Sequence, residues 1–252
     1  MKRAAIAVAV LIVFATVSLR GWEHTLTALP HLEAQCPKAT DAILVLGQSH
    51  ASNTGTKRQV AWERSYSFDR EKCFYLRDPM PGTAGNGGSI WPSFAEFTEN
   101  PVVIADMAIS GSAIEQWTTE TQLRKIRRTL AAMKRAGYSE PLVVWMQGET
   151  NAARRTGAST YNAELEKLIA VAPRLKWLIV RESVCDDVQV KWRPLDEARD
   201  KLAREHANVV IGPDLDHIPA RLRQEDRCHL TPEGQNLLAR QLAESAKPLL
   251  SN

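Results

Sequence analysis

The chain has 252 residues, 44% hydrophobic and 24% charged, a balance that supports one sizeable globular core behind a short leader. Its 32 basic and 29 acidic residues leave a formal charge of +3. No dense cationic stripe accompanies that charge, so nucleic acid is excluded as a partner.

The N-terminus opens with Met1-Lys2-Arg3, runs uncharged from residue 4 to residue 19, and closes that run at Arg20. Cations ahead of an apolar stretch with no polar face mark an export signal rather than a buried core helix. The stretch matches the upper end of a signal-peptide core and falls slightly short of the roughly 17 to 25 residues that span a bilayer. Val17-Ser18-Leu19 is a poor cleavage site. That favours a membrane anchor over a removed signal peptide, with both outcomes open. Either outcome places the protein in the periplasm or outside the cell. Residues 21–40 contain two prolines and no sustained period, and read as a spacer.

The domain is expected from Asp41 onward. Short runs rich in Val, Ile and Leu at 42–46, 102–107, 142–146, 177–180 and 209–211 predict five buried strands. Amphipathic stretches at 121–136, 161–171 and 195–206 alternate with them and predict helices. A last helix over 231–248 has Thr231 as N-cap and Pro232 at its first position. This alternation predicts an α/β fold with a five-stranded, mostly parallel sheet between helical layers. Residues 52–100, with a glycine-rich centre at 82–88, are expected to form mostly loop over the active edge, with a short helix near 93–98.

Four cysteines, Cys36, Cys73, Cys185 and Cys228, allow three pairings in an oxidising compartment. Cys36 with Cys73 and Cys185 with Cys228 is favoured, because the last two fall on loops at one end of the sheet. Four free thiols are the alternative. No cysteine pair has metal-ligand spacing, so no metal site is expected.

Ligands of an open parallel sheet gather at the carboxyl ends of its strands. There the chain places Gly47-Gln48-Ser49-His50, then Ser110 to Trp117, then Gln147-Gly148-Glu149-Thr150, and near the C-terminus Asp226-Arg227-Cys228-His229. A serine esterase needs a hydroxyl, a base, an acid to orient the base, and donors for the oxyanion. Ser49 supplies the nucleophile, His229 the base and Asp226 the orienting acid. The backbone N–H groups of Ser49 and Gly111 and the side-chain amide of Gln147 are the expected oxyanion donors. This chemistry needs no metal and no cofactor.

The segments GQS, GSAIEQW, QGET and DRCHLTPEG resemble, in order and spacing, the blocks of the SGNH hydrolases. They are most similar to the sialate O-acetylesterase and acetylxylan-esterase branch. The resemblance runs from about Asp41 to the C-terminus and implies a three-layer α/β/α sandwich of flavodoxin-like type. It further implies hydrolysis of O-acetyl esters on a carbohydrate, with the roles already given to Ser49, Gly111, Gln147, Asp226 and His229. Two positions depart from the branch: His50 stands where asparagine is usual, and Ser110 replaces the first of two glycines.

Asp214 and His217 repeat the spacing of Asp226 and His229 after the fifth strand. The HLTPEG continuation, which starts a helix, favours Asp226 and His229, leaving Asp216 and His217 on a loop near the substrate. Glu149 is read chiefly as a loop-holding acid and is carried, with His50 and Trp91, as a candidate substrate-site residue. Trp62 and Trp117 are further candidates for stacking on a sugar, against the commoner role of tryptophan as core. Acetyl transfer onto an envelope polysaccharide, cleavage of lipid esters, and non-catalytic glycan binding remain alternative functions.

Overall fold

A computed structural model describes residues 31–38, 40–61, 65–185, 188 and 190–250. The expected leader and Trp62 lie outside the described residues, and among those described no helix is long and apolar enough to cross a membrane. The sheet has eight strands in the order β1-β4-β3-β5-β2-β6-β7-β8, three more than the sequence pattern predicts. The five expected strands are β2 (Asp41–Gly47), β5 (Val102–Asp106), β6 (Leu142–Met146), β7 (Trp177–Arg181) and β8 (Val209–Asp214). With β3 (Tyr66–Asp69) they form a parallel array. β4 (Lys72–Tyr75) and β1 (Glu33–Ala34) add to it antiparallel. So the stretch 52–100, expected to be mostly loop, contains a hairpin, and part of the expected spacer completes the sheet edge. The Cys36–Cys73 disulfide fastens β1 to that hairpin.

Alternation along the strands builds both cores. On one face Leu44, Leu46, Val103, Val143, Trp145 and Ile179 pack against α3 (Glu120–Arg135), α5 (Ala158–Ile169) and α6 (Arg193–Glu205). On the other, Ile43, Val45, Ile104, Val144, Met146 and Val180 meet α1 (Trp91–Glu96) and α7 (Pro232–Ala246). Two short helices, α2 (Ile114–Trp117) and α4 (Glu149–Ala153), follow β5 and β6. Strands that are apolar on both faces need such a three-layer arrangement, because each buried Leu, Ile or Val contributes about 1.5–3 kcal/mol only when its face is covered. Thr231 caps α7 by accepting the Gly234 N–H at 3.2 Å, as Ser and Thr caps do.

After β5 the chain crosses β2 to reach β6, so the direction of winding reverses around β2. The carboxyl ends of β2, β5 and β6 therefore form the crevice where open α/β sheets bind ligands.

Candidate active site

Gly47 ends β2 with φ +146°, and a Cβ there would lie 1.9 Å from the Met146 carbonyl. Only glycine fits this close approach. It lets the Gln48 N–H donate to Met146 O at 2.8 Å and turns the chain into a short 3-10 segment, Ser49–Ala51. Ser49 sits at the start of that turn, and its carbonyl is held by the Thr54 hydroxyl at 2.7 Å and the Ser52 N–H at 3.0 Å. The glycine-rich segment braces the next residues: Asn53 N–H donates to Ala84 O, Gly87 N–H to Asn53 O, and Gly55 and Gly88 exchange two bonds of 2.8 Å.

The loop after β5 lies alongside, with Ile109 N–H on Gly47 O at 2.9 Å and the Thr150 hydroxyl on Gly111 O at 3.2 Å. Gly111 is exposed. Among the described residues the backbone N–H groups of Ser49 and Gly111 have no hydrogen-bond partner. Both remain available to an oxyanion.

Gln147 is placed otherwise than a donor to substrate requires. Its side chain is fully buried. Its amide nitrogen donates to Gln48 Oε1 and Ser112 O at 3.1 Å each and to Asn151 Oδ1 at 2.7 Å, while its Oε1 accepts from the Tyr161 hydroxyl at 2.8 Å. Two amide protons facing three acceptors leave none for a ligand. The residue works as a brace joining the ends of β2, β5 and β6. Gln48 Oε1 also accepts the Gly148 and Thr150 N–H groups at 3.4 Å, a role that sequence reasoning missed.

The C-terminal loop presents the acid and the base. Arg227 takes a left-handed backbone, φ 55°, and this tight turn lets Asp226 Oδ1 accept the backbone N–H groups of Cys228 and His229 at 2.9 and 3.0 Å. Asp226 Oδ2 then accepts the His229 Nδ1–H at 2.6 Å. Partial burial pushes the Asp226 carboxyl up, but His229 and those two N–H groups outweigh it and hold it below the usual carboxylate range. His229 Nε2 is buried and without a partner. The Cys185–Cys228 disulfide ties this loop to the segment after β7.

Ser49 and His229 share no hydrogen bond, and it is the residues beside them, His50 and Cys228, that meet. The His50 ring lies 5.7 Å from the His229 ring, centroid to centroid, and His50 Nε2–H donates to Cys228 O at 3.1 Å. His50 Nδ1 bonds the Glu149 carboxylate and lies 3.4 Å from Glu182 Oε2. His50 and Glu149 are only 5% and 2% exposed, so the two candidates for substrate contact form an internal strut instead. Burial opposes charge on His50, yet Glu149 and Glu182 raise it to about 10. Burial likewise pushes Glu149 up, and His50 more than reverses it, so Glu149 is lowered. Glu182, buried beside the ionised Glu149, is raised to about 8 and keeps its proton at neutral pH.

Trp91 and Trp117 are fully buried. The Trp91 indole donates to Ala51 O at 2.7 Å and the Trp117 indole to Ser112 Oγ at 2.8 Å. Neither has a face to offer a sugar; they pin the turns after β2 and β5. The rival pair is looser: Asp214 lies 3.7 Å from a largely exposed His217 and also pairs with Lys191, and Asp216 accepts from the backbone of Ser183 and Val184. Cys228 sulfur lies near His50 and Glu149, but it is spent in the disulfide.

Residues 87–247 match a family model described as carbohydrate esterase, sialic acid-specific acetylesterase. That span contains Gly111, Gln147, Asp226 and His229; Ser49 precedes it. No curated protein matches the chain by sequence. Among solved structures, a protein of Arabidopsis thaliana shares 17% identity with TM-score 0.62, covering 81% of this chain and 97% of that one. The psychrotrophic esterase EstA of Pseudoalteromonas sp. shares 13% with TM-score 0.55, covering 82% and 97%. A protein of the G-D-S-L family from Desulfitobacterium hafniense shares 11% with TM-score 0.55, covering 81% and 98%. At these identities the likeness is one of fold.

Proposed function

The chain belongs to the sialic acid-specific acetylesterase family of carbohydrate esterases, and from that premise we propose that it removes O-acetyl groups from a carbohydrate by acyl transfer through Ser49. It is a carboxylic ester hydrolase. In the first step Ser49 Oγ attacks the acetyl carbonyl as its proton passes to His229 Nε2, with Asp226 holding the other ring nitrogen. The negative oxygen is received by the N–H groups of Ser49 and Gly111. Collapse breaks the ester C–O bond, and His229 returns the proton to the departing sugar hydroxyl. Water, deprotonated by the same imidazole, then attacks the acetyl-enzyme and releases acetate.

The observation that carries this reading is the His229 imidazole itself, fixed at Nδ1 by Asp226 at 2.6 Å and left with Nε2 free, beside the residue that follows Ser49. Gln147 contributes by bracing the strand ends. The two disulfides fit an oxidising compartment outside the cytosol. Hydrolysis of p-nitrophenyl acetate by the purified protein and by Ser49→Ala tests the assignment. The variant should lose about three orders of magnitude or more in kcat, and equal rates for the two proteins would remove Ser49 from the mechanism. Acetate release from a panel of O-acetylated sugars then identifies the substrate.

A further inference from the structure

We propose that His50 is a positioning residue for this reaction: its buried ring bolts the nucleophile turn to the loop that carries His229. The argument starts from what the ring touches. One nitrogen meets the Glu149 carboxylate and the other donates to the Cys228 carbonyl at 3.1 Å. Both partners are acceptors, so the ring binds them best by donating from both nitrogens, as an imidazolium. The ring lies at the meeting point of three segments. His50 follows Ser49, Glu149 starts the short helix after β6, and Cys228 precedes His229.

Cys228 O is otherwise reached by Arg223 at 2.9 Å, while Cys228 N–H donates to Asp226 at 2.9 Å. A pull on the Cys228 peptide is therefore transmitted to both the acid and the base. The charged or titratable groups around the ring are Glu149 from α4, Glu182 from the end of β7 and His229 from the C-terminal loop. Arg199 of α6 lies behind them, on Glu182 O at 2.9 Å. Their balance keeps His50 charged at neutral pH. His50 thus replaces any direct bond between the two loops with one rigid ring, and small displacements of a catalytic group are costly.

The kinetic arm of the test rests on the esterase reading; the exchange arm does not. His50→Ala, His50→Gln and His50→Asn are compared with wild type in kcat and KM on p-nitrophenyl acetate, and in hydrogen exchange by mass spectrometry. His50→Ala is expected to lower kcat about 10- to 100-fold with KM nearly unchanged. Exchange protection should fall in peptides spanning 224–231 and 49–54 while the strand peptides keep theirs. His50→Gln and His50→Asn, which retain a donor, should recover part of kcat. A kcat within twofold of wild type in the alanine variant, or a raised KM at constant kcat, overturns the proposal, as does unchanged exchange in both loops. If His50→Ala does not fold, the glutamine and asparagine variants carry both arms. Absence of Ser49-dependent hydrolysis in wild type would sink the esterase reading alone, leaving the exchange arm to decide the coupling.

Discussion

Replacing Arg199 by methionine tests whether the carboxyl ends of β6 and β7 are held together by one buried cation. Its side chain is fully buried on α6 and donates to Gln147 O at 2.7 Å, to Glu182 O at 2.9 Å and to Asp196 Oδ1 at 3.1 Å. Methionine keeps most of the stem volume, so little cavity is created and the change falls on the polar contacts. Gln147 O keeps only a share of the one Tyr161 hydroxyl proton, 2.9 Å away and also facing Gln147 Oε1 at 2.8 Å, while Asp196 retains Lys191 at 2.7 Å. Glu182 O keeps no side-chain donor. Hydrogen bonds to a charged group contribute about 1.5–3 kcal/mol each, and relief of the buried charge offsets part of that loss. A net cost of about 3–4 kcal/mol follows for the two carbonyl bonds together. For a domain of this size that lowers Tm by about 6–16 °C. Circular dichroism melts at pH 7 measure it directly. A Tm within 2 °C of wild type, on the order of the smallest shift a 1 kcal/mol change produces, would refute the claim that Arg199 holds these strand ends.

The remaining predictions concern the disulfide at the base loop and two buried acids. Cys185 and Cys228 are 43 residues apart, so replacing both by serine should cost about 4 kcal/mol by the loop-entropy relation, read as a lower urea midpoint; an unchanged midpoint would show that the crosslink does not constrain the unfolded chain. Burial pushes Asp106 up to about 8 and Asp78 up to about 7. A carboxyl raised in the fold stabilises it fully below its unfolded value, and that contribution is lost as pH rises through the folded value. Asp106→Asn should therefore gain stability relative to wild type between pH 5 and pH 9, and a stability difference constant across that range would argue that Asp106 is ionised throughout.

Five of the parallel strands, β2, β5, β6, β7 and β8, were legible because each carries a short run of Val, Ile or Leu. The hairpin was not. Tyr66–Asp69 and Lys72–Tyr75 mix apolar and polar residues, and their turn uses Arg70 and Glu71 at positive φ, where Asn-Gly would have announced it. β1 is two residues long and owes its place to the Cys36–Cys73 bond, which periodicity cannot register. The Asp226–His229 hydrogen bond was expected from the HLTPEG continuation that starts a helix, since Asp214 and His217 share the same three-residue spacing. Gln147 misled because an amide after a buried strand can face a ligand or its neighbours, and only the packing of Ser112, Asn151 and Tyr161 around it decides. Trp91 and Trp117 misled for the same reason, and His50 concealed its role because its partners, Glu149 and Cys228, are remote in sequence.

The bond from His50 to Cys228 spans 178 residues, while β2 meets its neighbours β5 and β6 over much shorter stretches. Closing a longer loop costs more entropy before any contact rewards it. Competence therefore arrives only when the C-terminal segment docks, the same step that lays α7 over one apolar face of the sheet. Run in reverse, local opening of residues 224–231 alone, with α7 still covering the sheet, would be enough to silence the enzyme.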